Sequence, residues 1–109
     1  MTKRHAALGE LETLVMLAIL RLGSDAGVRR IREEISERAG RGISRGALYA
    51  TLARMQRKGL VQVRDPVDAG ESIQRFSLTE PGLRELREAQ AKLDRMREGL
   101  GPLLRGETT

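Results

Sequence analysis

The sequence contains no cysteine and no tryptophan, and its aromatic side chains number two, Tyr49 and Phe76. The lack of cysteine excludes disulfides, thiolate nucleophiles and sulfur-ligated metal sites, and it fits a reducing compartment, with the cytoplasm the expected location. Histidine is almost missing as well: His5 stands alone in a polar stretch with no orienting partner, so a histidine-activated nucleophile has no basis. No glycine-rich phosphate loop precedes a Lys-Ser or Lys-Thr pair, and no cluster of acids and histidine has metal-ligand spacing. No enzyme activity, metal or cofactor is therefore expected. The longest apolar run, Leu14 to Leu20, is seven residues, against the roughly 20 a membrane-spanning helix needs. Met1 to Gly9 has no apolar h-region, so no signal peptide is expected and no membrane partner is implied.

Lysine is scarce too. Of 20 basic residues only Lys3, Lys58 and Lys92 are lysine, leaving 17 arginines whose planar fork suits phosphates and guanine edges. Against 15 acids the net charge is +5, which favours a polyanionic partner. A chain of 109 residues accommodates one domain plus an appended element. Such a small core gains from burying further surface between copies of itself.

Hydrophobic periodicity supplies the organisation. From Gly9 to Leu22, Leu11, Leu14, Val15, Ala18 and Leu22 form a helical stripe, and Met16, Leu17, Ile19 and Leu20 fill most of the remaining circumference. A helix apolar all round needs cover on two sides. Ser24 or Asp25 is the expected cap of a second helix over about Gly27 to Ala39, with Val28, Ile31, Ile35 and Ala39 inward. Arg29 with Glu33, or Arg30 with Glu34, are candidate solvated pairs on its outer face.

Gly40 and Gly42 supply a tight turn, and Ser44 is a good N-cap for a third helix that reaches Lys58, with Gly59 as its C′ residue. Leu48, Leu52 and Met55 are its inner stripe. Val61 and Val63 then alternate as a half-buried strand, Asp65 to Gly70 reads as a loop, and Ser72 to Leu78 returns as a second strand. Thr79 caps a last helix with Pro81 tolerated in its first turn. That helix is expected to run to about Glu98, with Leu103 and Leu104 beyond it as a short turn or a tail. Met16, Met55 and Met96 fall at apolar helical positions and read as core filler.

The expected fold is mainly α with a small β-hairpin, a winged helix-turn-helix followed by a C-terminal dimerisation helix. Its parts are a tail at 1–8, the winged helix-turn-helix at 9–79, the dimerisation helix at 80–104 and a tail at 105–109. A glycine-containing turn sets two helices at a steep angle, so that the second can enter a major groove while the first braces it. Between Val28 and Leu60 nine cations face three acids, an excess of +6 that exceeds the +5 of the whole chain. The excess thus concentrates where DNA binding by counterion release would use it. On the third helix, small residues at Gly46, Ala50 and Ala53 permit close approach to base edges, with Arg45, Arg54 and Arg57 pointing outward and Tyr49 at the margin.

The same segments carry a family resemblance. LGELETLVMLAILRL (Leu8 to Leu22), SRGALYATLARMQRKGL (Ser44 to Leu60) and RFSLTEPG (Arg75 to Gly82) resemble the first helix, the recognition segment and the second wing strand of PadR-family regulators. The resemblance covers most of residues 8 to 100 and points to the smaller subclass. It implies a dimeric, usually repressing, DNA-binding protein, and it implies roles in DNA contact for Ser44, Tyr49 and Arg54. Two departures limit what transfers. Gly27 and Val28 stand where the family often has a Tyr-Gly pair, and Asp65, Asp68 and Glu71 outnumber Arg64 and Arg75 in the wing. Neither that tyrosine's role nor insertion of the wing into the minor groove is carried over.

The resulting candidates for contact with double-stranded DNA are Ser44, Arg45, Gly46, Tyr49, Ala50, Arg54, Arg57, Lys58 and Arg75. Those for a homodimer interface are Leu11, Leu14, Leu86, Ala89, Leu93, Met96 and Leu100, because Leu86, Ala89, Leu93, Met96, Leu100 and Leu103 repeat at alternating spacings of three and four. Two-fold symmetry would then call for a pseudo-palindromic operator. The resemblance permits a small inducer, but two aromatic residues give little to stack against and no ligand is expected. The alternative reading is a winged-helix module that binds another protein rather than DNA.

Overall fold

In a computed structural model of the chain, residues 8–64 and 74–107 are described. Six helices or strands lead from the first turn of the core to the wing and its exit: α1 (Glu10–Leu22), α2 (Val28–Ala39), α3 (Arg45–Arg57), β1 (Val61–Arg64), β2 (Arg75–Leu78) and α4 (Glu80–Arg97). A short α5 (Gly101–Leu104) follows. The expected loop at Asp65 to Gly70, the acidic wing residues Asp65, Asp68 and Glu71, the start of the second strand at Ser72, and His5 lie outside the described residues.

The core is one cluster. Val15, Met16, Ala18 and Ile19 of α1 meet Ile31 and Ile35 of α2, Leu48, Leu52 and Met55 of α3, and Leu60, Val61, Phe76 and Leu86 further along. The inner stripe read for α3 is the one observed, with Thr51 added; its hydroxyl avoids an unsatisfied burial by donating to the carbonyl of Ala47 at 2.9 Å. Ser44 Oγ accepts from the N–H of Ala47 at 3.0 Å, and Gly59, at φ +75°, closes the helix in the left-handed conformation that glycine adopts without strain.

The start of α2 differs from expectation. Ser24 and Asp25 do not cap it: they lie in a 3-10 turn over Gly23–Asp25, and Gly27 is the N-cap, with no side-chain cap. The physical reason is a tertiary tie. The N–H of Phe76 donates to the carbonyl of Ala26 at 2.9 Å, and Arg75 Nε donates to the carbonyl of Ser24 at 3.2 Å, so residues 24–26 are tied to β2 and held away from the capping position. β1 and β2 pair antiparallel with Val61 opposite Leu78 and Val63 opposite Phe76, which aligns the apolar residues of both strands on one face.

Thr79 caps α4 by accepting from the N–H of Gly82 at 3.0 Å, while its own hydroxyl donates to the carbonyl of Gly59 at 2.5 Å and its N–H to that of Leu60 at 3.0 Å. Gly82 is required there, since a Cβ would stand 2.0 Å from the carbonyl oxygen of Leu60. The core therefore reaches into α4 as far as Leu86, which is 3% exposed. The last helix stops where expected, with Glu98 as its C-cap: Gly99 takes φ +79° and the chain turns into the short α5, which holds Leu103 and Leu104.

Candidate nucleic-acid interface

The exposed face of α3 consists of Arg45, Gly46, Ala47, Tyr49, Ala50, Arg54, Gln56 and Arg57, without an acidic residue anywhere in the helix. Gly46 has nothing within 4 Å of a would-be Cβ. With Ala50 beside it, this gives the face a low profile along its middle. The guanidinium of Arg45 lies over the Tyr49 ring, 5.7 Å from its centroid, a stacking distance that fixes the arginine at the front of the helix.

Next to that front end opens a cleft of about 760 Å³ between the start of α2, the start of α3 and the start of β2. Arg29, Arg30, Arg32, Arg45 and Arg75 line it together with Tyr49; its one acid among the described residues is Asp25. The cleft and the exposed face of α3 are thus one continuous basic surface.

The nine cations counted between Val28 and Leu60 do not share a single fate. Arg30 pairs with Glu33 at 2.9 Å and Asp25 at 3.3 Å, and these carboxylates raise its pKa, the Glu33 hydrogen bond most. Arg32 Nε donates to the carbonyl of Ile43 at 2.9 Å and so ties α2 to the turn before α3. Arg38 pairs with Glu34 at 2.6 Å and Arg41 with Glu10 at 3.1 Å. Neither of the pairs expected from spacing, Arg29 with Glu33 or Arg30 with Glu34, is formed. Among the described residues, Arg29, Arg45 and Arg57 are in no ion pair.

Arg54 and Lys58 share one carboxylate. Glu12 of α1 has an 8% exposed side chain; its Oε2 lies 3.1 Å from Lys58 Nζ and 3.7 Å from Arg54 Nε, and its Oε1 accepts the N–H of Gly9 at 3.1 Å. Burial opposes the charge, but the Gly9 hydrogen bond and the two cations outweigh it and hold the carboxyl below its usual range. Spacing missed this residue. The signal available was its position three after Gly9, a capping arrangement; nothing local announces that the carboxylate points inward. Arg75 is likewise engaged, with the Ser24 carbonyl and with Asp25 at 3.8 Å. Ser44 is exposed with its oxygen committed to the helix cap.

The apolar candidates divide as well. Leu11 and Leu14 pack, partly buried, against the chain's own core, and Leu86 is inside it. Ala89 is half-buried, whereas Leu93, Met96 and Leu100 are exposed. Leu17, Leu20, Leu103 and Leu104 are exposed too, and the first two are the side of α1 that its own domain does not cover. No helix among the described residues is long and apolar enough to cross a membrane.

The family model described as the transcriptional regulator PadR-like family matches residues 16–88, two thirds of the chain, including all of α2, α3, β1 and β2. The chain belongs to the PadR-like family. Members of this family are DNA-binding transcriptional regulators, not enzymes. Among solved structures, the PadR family transcriptional regulator from Eggerthella lenta DSM 2243 is similar at 28% identity and a TM-score of 0.62, covering 84% of this chain and 81% of that one. A PadR-like transcriptional regulator from Bacillus cereus strain ATCC 14579 is 22% identical with a TM-score of 0.67, over 89% and 97% of the two chains. F93 from STIV, a winged-helix DNA-binding protein, is 23% identical with a TM-score of 0.63, over 82% and 94%. No curated protein sequence matches the chain.

Proposed function

We propose that this PadR-like chain is a cytoplasmic, sequence-specific repressor that lays α3 in the major groove of double-stranded DNA, as a homodimer on a pseudo-palindromic operator. The observation that carries the reading is the acid-free outer face of α3, low at Gly46 and Ala50 and fronted by Arg45 and Tyr49, continuous with the arginine-lined cleft. Arg45 and Arg57, unpaired within the described chain, are the base- or phosphate-directed cations of the helix; Arg29 in the cleft is a phosphate contact. The dimer surface is the apolar row Leu93, Met96, Leu100 and Leu103, with Leu17 and Leu20 of α1 as a second exposed apolar group.

Titration against chromosomal DNA fragments at two salt concentrations tests the reading. Affinity should fall steeply as salt rises, and fragments retained at high salt should share half-sites about one helical turn, roughly 34 Å, apart. Association with another protein and salt-insensitive, weak DNA binding would instead favour a protein-interaction module. Within the DNA reading, Arg45→Ala should weaken binding to the selected sequence by about 1–3 kcal/mol while the fold persists.

A further inference from the structure

Glu12 is the one carboxylate-bearing residue in the buried class among the described residues, and it lies beneath the end of α3 that the DNA reading turns outward. Its two cations are inequivalent. Lys58, the C-cap of α3, makes the close contact at 3.1 Å and has a side chain 35% exposed; Arg54, one turn earlier, stands off at 3.7 Å and is 46% exposed. A buried carboxylate needs at least one charged partner, so DNA cannot withdraw both cations without leaving Glu12 with the Gly9 N–H alone. The better-bonded and less exposed cation is the one that stays.

We propose that Glu12 is a specificity-determining residue: it retains Lys58 as an internal counterion, so that of this pair only Arg54 is offered to DNA. The proposal rests on the DNA-binding reading above. A mobile ammonium at the end of a recognition helix finds any phosphate and adds affinity to every sequence alike, whereas a planar guanidinium held one turn back can choose among base edges. Sequestering the lysine subtracts the sequence-blind part of the helix's charge. Glu12 acts here from behind the helix, without touching DNA, and is in that sense a positioning residue.

The experiment measures binding of the full chain to a mixed-sequence duplex as a function of salt. Glu12→Gln should free Lys58 and steepen the slope of log affinity against log salt by about 0.9 per protomer, raising affinity at 0.1 M salt on the order of tenfold. The double variant Glu12→Gln with Lys58→Gln should return the slope to that of the unaltered protein. A Glu12→Gln protein that melts at a lower temperature but keeps the original slope overturns the proposal and leaves Glu12 a structural residue. If Glu12→Gln does not fold, the unaltered protein decides. Lys58 is one of three lysines, so its ammonium nitrogen can be followed by NMR. Its signal should hold its position when duplex is added, and a shift of the kind produced by contact with phosphate overturns the proposal. Failure of the unaltered protein to bind duplex in a salt-dependent way overturns the DNA reading and this inference together, and is distinguishable from either result above.

Discussion

The two halves of α4 live in different surroundings. Its first two turns are locked: Thr79 bonds to Gly59, Leu60 and Gly82, Gly82 touches the Leu60 backbone, and Leu86 is 3% exposed. Its last turns carry Leu93 and Met96 into solvent, Met96 at 76% exposure. The same apolar spacing runs through both halves, so pattern alone does not distinguish a residue that completes its own domain from one left over for a neighbour. The contrast teaches that one apolar pattern covers residues that complete the fold and residues that the proposed dimer would use, and that the two divide near Ala89.

Substitutions on either side of that point should therefore have opposite signatures. The largest effect is expected beyond it: Leu93→Asp with Met96→Asp should yield folded monomers with near-complete loss of operator binding, checked by sedimentation and DNA titration. A folded tetramer or an unchanged dimer would break the comparison. On the near side, Gly82→Ala should destabilise the fold by about 3 kcal/mol, because the intruding methyl meets a backbone carbonyl that cannot swing aside, and urea unfolding measures it. Leu86→Ala should cost about 2–5 kcal/mol in the same assay, while Leu93→Ala changes monomer stability by less than about 0.5 kcal/mol and acts on the dimerisation constant. A smaller loss, about 1 kcal/mol, is expected for Thr79→Ala from the missing cap.

The smallest effect is a pH dependence in the region that α4 does not reach. Because the folded Glu12 carboxyl lies below its unfolded value of about 4.5, the stability it contributes is fully present above that pH and is lost as pH falls through the lower, folded value. Denaturation of Glu12→Gln against the unaltered protein should therefore show a constant difference from neutrality down to the ordinary carboxylate range, narrowing only below it.

What could be read in the sequence was what neighbours in the chain decide. The stripe Leu48, Leu52, Met55, the Ser44 cap, the Gly59 stop and the Thr79–Pro81 start of α4 are set within a few residues of themselves, and all are found. What escaped depends on residues far away. Asp25 was eligible as a cap until β2 claimed its segment, Arg54 and Lys58 read as free cations until Glu12 arrived from α1, and Gly82 looked like an ordinary glycine until the Leu60 carbonyl came within 2.0 Å. The nine cations between Val28 and Leu60 illustrate the rule: their number is a property of sequence, their availability a property of packing. For the candidate interface this means that charge counting gives the number of cations but not which of them the chain's own acids hold.

The bolt between the start of α4 and the residues that follow α3 makes α4 a rigid lever. Thr79 grips both Gly59 and Leu60, immediately past the C-cap of α3, and Gly82 admits no slack between the two backbones. An 18-residue helix is about 27 Å long, so a tilt of about 10° at its fixed end moves the other by about 5 Å. Read in reverse, and for the proposed dimer, a shift of a few ångströms where two such arms meet would rotate each α3 by a comparable angle, enough to bring the pair out of step with successive grooves. In that assembly, whatever presses on the arms would be felt at the DNA without an intervening soft joint.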